Sequence, residues 1–147
     1  MATVTEIAPD IFRICTYIGD LEMQFNQFLV RDREPLLYHT GMKAMFPVVR
    51  EAVAKVIDPA TLRWIAFSHF ESDECGALND FLAVAPDAVP LGSTIAATIS
   101  LGDSADRTPR GLGDGEELSL GRRSVRWIDT PHLPHGWESG QIGRAHV

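Results

Sequence analysis

Three potential metal ligands alternate in one short segment of the chain. Residues 68–73 place an imidazole and two carboxylates at every second position, as His69, Glu71 and Asp73. The segment directly follows residues 64–67, an apolar stretch typical of a buried strand. If the backbone stays extended, the three side chains point the same way and can face one metal ion. The alternative is a solvated acidic loop, but a position after a strand end, where α/β folds keep their sites, favours metal ligation.

The two residues that follow this segment have more than one interpretation. Glu74 could complete a shell of oxygen ligands, or it could cap the next helix, because carboxylates are favoured at a helix N-terminus. Cys75 could be a soft ligand or a redox-sensitive thiol whose pKa is lowered at a helix start. We favour a small buried apolar residue for Cys75, which is the commoner role of such a cysteine.

Two histidines form a second candidate cluster near the end of the chain. His132 and His135 lie three residues apart in a loop, each directly after a proline. Proline fixes its own backbone and restricts the residue before it, so these imidazoles are held rather stiffly. We predict that His135 is a metal ligand, whereas His132 fits an exposed histidine in a tight turn equally well. His39, at the end of an expected strand, is predicted to be a hydrogen-bonded structural residue.

Composition limits the classes of function that the chain can have. It has 147 residues, 45% of them hydrophobic and 22% charged, which suits one soluble domain or part of one. The net charge of -7 argues against a nucleic-acid partner. No apolar run approaches the about 20 residues that span a bilayer, and the N-terminus lacks a signal-peptide pattern. Two distant cysteines make no disulfide framework, so we expect a cytoplasmic protein without a membrane partner.

The hydrophobic pattern predicts an α/β fold with a mixed sheet that begins as an antiparallel meander. Strands are expected at 11–18, 23–30, 36–40, 62–67 and 89–92, and a hairpin at 118–120 and 124–128. Helices are expected at 43–57, 76–84 and 94–100, the last capped by Ser93, and loops at 101–115 and 129–138.

Residues 68–78 resemble the first metal motif of the metallo-β-lactamase fold. They match the His-x-Glu-x-Asp variant of flavodiiron proteins and oxygen-binding di-iron proteins. Hydrolases of this fold carry His-x-His-x-Asp-His, so Glu71 stands where they have their second histidine. A carboxylate is a harder ligand than an imidazole and shifts the preference from zinc toward iron. The similarity extends over nearly all of residues 5–140.

The resemblance implies an αββα sandwich, of which this chain is the N-terminal part, and a centre with two iron ions. His69, Glu71 and His135 would hold one iron, and Asp73, alone or with Glu74, the other. The implied activity is binding or reduction of dioxygen or nitric oxide, with a flavin or electron-transfer partner and a homo-oligomeric assembly. Two alternatives remain: a metal-dependent hydrolase, with zinc in place of iron, and a non-catalytic oxygen sensor.

The chain departs from the family pattern in two respects. Glu74 occupies a position that is often histidine in flavodiiron proteins. A bridging aspartate and a last histidine ligand should lie beyond His135, so we expect a truncated domain over 1–141 that is itself inactive. Residues 142–147 match the translation of a common sequencing adapter, and we interpret them as a non-native tail.

Overall fold

The computed structural model of the chain describes residues 1–133 and 136–144. Its strands are β1 (Thr3–Ala8), β2 (Ile11–Ile18), β3 (Met23–Val30), β4 (Leu36–Tyr38), β5 (Trp64–Ala66), β6 (Val89–Ser93), β7 (Arg110–Leu112), β8 (Glu117–Ser119), β9 (Ser124–Asp129) and β10 (Gly140–Arg144). Its α-helices are α1 (Phe46–Ala54), α2 (Ser72–Cys75), α3 (Leu78–Val84), α4 (Thr94–Thr98) and α5 (Ser100–Ser104). Short 3₁₀ helices occupy Gly19–Leu21, Lys43–Met45 and Pro59–Thr61.

The strands form two sheets. The larger has seven strands in the order of the sequence, β1 to β7, and the smaller has the order β10-β9-β8. Pairing is antiparallel from β1 to β4 and parallel from β4 to β7. The mixed sheet predicted from the sequence is thereby confirmed.

The central strands β4 and β5 of the large sheet are buried on both faces. In β5, the side chain of Ile65 joins the core under the helices, whereas Trp64 and Ala66 join the core facing the small sheet. Parallel strands that are covered on both sides have continuous apolar sequences. The three residues of β4 are likewise all buried. Trp127 of β9 is fully buried in the core between the sheets. The described layers are therefore helices, large sheet and small sheet.

The structure corrects several predicted elements. The loop expected at 101–115 contains α5 and β7, and an additional strand, β1, precedes the meander. β1 was missed because most of its residues are exposed and show no clear alternation. β7 was missed because Gly111 is a poor strand former, yet a Cβ there would lie only 3.0 Å from the Thr94 Cα, so close packing requires glycine.

Residues 142–144, assigned to the tail, form part of β10, where Ile142 pairs with Trp127 of β9. Residues 145–147 lie outside the described part of the chain. Among residues 1–133 and 136–144, the structure contains no helix with the length and apolar character needed to cross a bilayer.

The parallel strands place the predicted ligands. β4 leads into His39, β5 into residues 68–74, and β6 ends at Ser93. Because the carboxyl ends of parallel strands meet at one edge of a sheet, these segments are neighbours there.

Candidate functional site

His69 lies in the loop after β5 and is oriented by the segment that precedes β10. Its Nδ1 is 2.6 Å from the backbone carbonyl oxygen of Glu138. Because a carbonyl oxygen can only accept, Nδ1 carries a proton here, and in the neutral form of the ring the lone pair is on Nε2. This is the tautomer that binds a metal through Nε2, with an outer carbonyl fixing the ring.

Glu138 contributes its side chain to the same site. The residue is 5% exposed, its Oε1 is 3.3 Å from His69 Nδ1, and its Oε2 accepts a 2.6 Å hydrogen bond from Ser93 Oγ. As predicted, Ser93 caps α4, since its Oγ also accepts from the Ala96 N–H at 3.0 Å. The additional bond from Ser93 to Glu138 was not predicted, because no local pattern signals it.

Glu71 and Asp73 are both exposed. Glu71 is extended, at φ -134° and ψ 158°, but α2 begins at Ser72, so Asp73 lies in the first helical turn. The expected alternation of three side chains along one extended segment is therefore wrong beyond Glu71. Acidic residues are favoured in a first turn, which gives a physical reason for the helix to begin there.

Glu74, by contrast, is buried and faces the preceding loop. Its carboxylate accepts hydrogen bonds from Ser68 Oγ at 2.9 Å and from the His69 N–H at 2.8 Å. The helix that follows, α3, has Ala77 at its N-cap and no side-chain cap. Glu74 itself lies in the first turn of α2, where a carboxylate is favoured, and not ahead of the helix expected at 76–84; its carboxylate binds the segment that carries His69.

His39 extends this buried polar cluster. Its Nε2 lies 3.0 Å from Ser68 Oγ and 3.6 Å from Glu74 Oε2, and its ring stacks on Tyr38 with centroids 4.3 Å apart. The hydrogen-bonded structural role predicted for His39 is confirmed. Burial raises the pKa of Tyr38 above its ordinary value.

Cys75 is a buried thiol. Burial, with a further contribution from the Glu74 carboxylate, raises its pKa to about 12, and its Sγ donates to the Glu71 carbonyl oxygen at 2.9 Å. A raised pKa disfavours the thiolate that a metal ligand needs. The favoured interpretation of Cys75 as a small buried residue agrees with this environment.

His132 closes a tight turn. It is exposed with φ at +62°, its N–H donates to the Trp137 carbonyl at 2.8 Å, and its Nδ1 is 2.7 Å from the Gly136 carbonyl oxygen. These bonds agree with the tight-turn interpretation. His135, predicted as a ligand, lies outside the described residues.

The described residues have the ligand types of a metal centre, but only part of the arrangement that would hold a metal ion. One correctly oriented imidazole and two exposed carboxylates are the ligand types that iron takes. Within residues 1–133 and 136–144, however, no three His, Cys, Asp or Glu side chains are grouped to hold an ion. The part of the site described is therefore one oriented histidine with acidic residues beside it.

The chain matches no protein-family model. Among curated proteins it is 30% identical over 118 residues to rubredoxin-oxygen oxidoreductase of Megalodesulfovibrio gigas. It is 31% identical over 115 residues to nitric oxide reductase of Moorella thermoacetica. Each alignment covers 74% of this chain, and the chain spans only 28% of the length of either relative.

Solved structures show the fold. Rubredoxin oxygen:oxidoreductase of Desulfovibrio gigas superposes with a TM-score of 0.86 at 21% identity, covering 97% of this chain and 38% of that one. A flavo di-iron protein of Thermotoga maritima gives 0.80 at 20% identity, covering 98% and 40%. A subclass B3 metallo-β-lactamase from a soil metagenome gives 0.78 at 16% identity, covering 94% and 55%. This chain therefore has the metallo-β-lactamase fold, and its homologues are flavodiiron proteins.

Proposed function

We propose that this chain supplies the first ligands of a di-iron centre that binds or reduces dioxygen or nitric oxide. The observation that carries the proposal is the glutamate at position 71, within a His-x-Glu-x-Asp segment, in a chain whose relatives are named for oxygen and nitric oxide reduction. A carboxylate in place of the hydrolases' second histidine favours iron over zinc.

In this proposal His69, Glu71 and Asp73 are ligands, together with His135. When bound, iron would supply the site at which a small diatomic molecule binds and accepts electrons. The Glu138 carbonyl oxygen accepts from His69 Nδ1, so Nε2 is the nitrogen that would bind the metal. An electron donor of the rubredoxin or flavin class would complete the reaction, as the names of two relatives, rubredoxin-oxygen oxidoreductase and a diflavin flavoprotein, suggest.

Metal preference tests the proposal directly. Fe(II) and Zn(II) affinities would be measured under anaerobic conditions for the wild type and for Glu71→His, which introduces the second histidine of the hydrolase pattern. We expect Glu71→His to lower the ratio of iron to zinc affinity by about tenfold or more, since it replaces an oxygen ligand with a nitrogen ligand. The matched control is Glu51→His, at an exposed position of α1, which should leave the ratio unchanged.

Reactivity separates the alternatives. Consumption of dioxygen or nitric oxide by the reduced, iron-loaded protein would support the proposal. Reversible oxygen binding without turnover would indicate a sensor. Preference for zinc in the wild type, together with esterase activity, would instead support a hydrolase that uses a metal-bound hydroxide.

A further inference from the structure

Short hydrogen bonds hold both the side chain and the backbone of Glu74. Its Oε1 and Oε2 each lie 2.9 Å from Ser68 Oγ, and Oε2 also accepts the His69 N–H at 2.8 Å. Its carbonyl oxygen accepts from the Thr40 N–H at 2.6 Å and from Thr40 Oγ1 at 2.8 Å. Glu74 thereby ties the residues after β4 to the loop that carries His69.

We propose that Glu74 is a positioning residue, which fixes the backbone of His69, and not a metal ligand. The side chain of Glu74 is only 10% exposed, whereas Glu71 and Asp73 are exposed beside it. The His69 N–H donates to this side chain at 2.8 Å, so the reach of the side chain fixes where the backbone of His69 lies. Where His69 is a ligand, its position depends on that bond, and in this respect the inference rests on the proposed function.

The close packing around α2 supports a fixed geometry. A Cβ on Gly76, two residues after Glu74, would collide with the Ser72 carbonyl oxygen and would lie 2.7 Å from the Lys43 nitrogen. Backbone segments therefore approach each other more closely here than any side chain permits. The helical turn that carries Glu74 cannot shift without breaking these contacts.

Two substitutions distinguish positioning from ligation. Glu74→Gln keeps the length of the side chain: its carbonyl oxygen can accept the His69 N–H, and its amide can donate to Ser68 Oγ. Glu74→Asp keeps the carboxylate but is one methylene shorter, so its oxygen cannot reach the His69 N–H at hydrogen-bonding distance. If Glu74 positions His69, Glu74→Gln should keep iron binding and Glu74→Asp should weaken it. If Glu74 is a metal ligand, the reverse is expected.

The first measurement requires no metal. Amide hydrogen exchange at His69 should be faster by about tenfold or more in Glu74→Asp and should change by less than about threefold in Glu74→Gln. Exchange at the β5 amides should stay constant in both variants, which separates a local effect from general destabilisation. Glu51→Gln and Glu51→Asp, at an exposed position of α1, are the matched controls.

The second measurement is Fe(II) affinity. The affinity should fall about 10- to 100-fold in Glu74→Asp, which is the usual effect of losing a residue that hydrogen-bonds to a metal ligand. It should stay near the wild-type value in Glu74→Gln. Iron binding that is retained in Glu74→Asp and lost in Glu74→Gln would overturn the inference in favour of ligation. Unchanged exchange of the His69 amide in Glu74→Asp, or fast exchange in Glu74→Gln, would also overturn it. A wild type that binds no iron would refute the proposed function, while the exchange measurement would still decide the role of Glu74.

Discussion

The Ser93 hydroxyl makes two hydrogen bonds that stabilise different parts of the site. It caps α4 through the Ala96 N–H and donates to the buried carboxylate of Glu138. We predict that Ser93→Ala lowers the free energy of unfolding by about 2–4 kcal/mol, about 1 from the cap and the rest from the lost donor to a charged group. Urea denaturation measures this loss.

The control for this prediction is Ser119→Ala, which removes one exposed 3.2 Å hydrogen bond to the Gly121 N–H. It should cost less than about 0.5 kcal/mol. The costs of Ser93→Ala and Glu138→Ala should not add in the double variant, because the two residues are direct partners. Equal costs for Ser93→Ala and Ser119→Ala would contradict the prediction.

At the same scale, the sequence predicted His69 as a candidate ligand but did not predict its hydrogen-bond partners. His69 was identifiable because its neighbours in the sequence carry the signal, an apolar strand followed by alternating ligand types. Its contacts with Glu138 span 69 residues of sequence, and those of Glu138 with Ser93 span 45. No local periodicity encodes such pairings, since they arise only when separate strand ends meet at one sheet edge.

Among the elements, the β8–β9 hairpin is attached to the loop between β3 and β4 through Asp32. Burial alone would raise the pKa of Asp32, but backbone N–H groups of Arg122, Arg33 and Arg123 donate to it and hold its pKa below its ordinary value. A lowered carboxyl pKa contributes stability that is fully present above the unfolded value. That stability is lost as the pH falls through the folded pKa.

We therefore predict that Asp32→Asn destabilises the protein at pH 7 and that the difference from the wild type shrinks below about pH 3.8. Urea denaturation at a series of pH values measures the difference. Asp20→Asn, at an exposed position in the 3₁₀ helix Gly19–Leu21, serves as the control. A difference that is constant across the pH series would show that the hydrogen bonds to the charged carboxylate are unimportant.

Elements with a strong local pattern were predicted well. β2 and β3 have the predicted bounds because β-branched and aromatic residues fill them and a turn separates them. β7 escaped prediction because its three residues, Arg110–Leu112, owe their conformation to pairing with β6 and packing under α4. The helix expected at 76–84 begins only at Leu78, as α3, and the short helix α2 that precedes Gly76 was not predicted.

For the whole molecule, the number of candidate ligands sets the metal stoichiometry. The proposal places His69, Glu71, Asp73 and His135 at the metals, with Glu74 as a positioning residue. A single iron bound by two histidines and one carboxylate already takes three protein ligands. Four candidate ligands are therefore too few to hold two irons independently. We predict that this chain binds one Fe(II) per molecule.

Anaerobic titration with Fe(II), followed by metal analysis after gel filtration, measures the stoichiometry. His69→Ala should abolish binding, and His132→Ala should leave it unchanged, because His132 is bonded within its own turn. Loss of binding in His132→Ala would assign that histidine to the metal. Two tightly bound irons in the wild type would contradict the ligand count, because additional ligands on this chain would then have to take part.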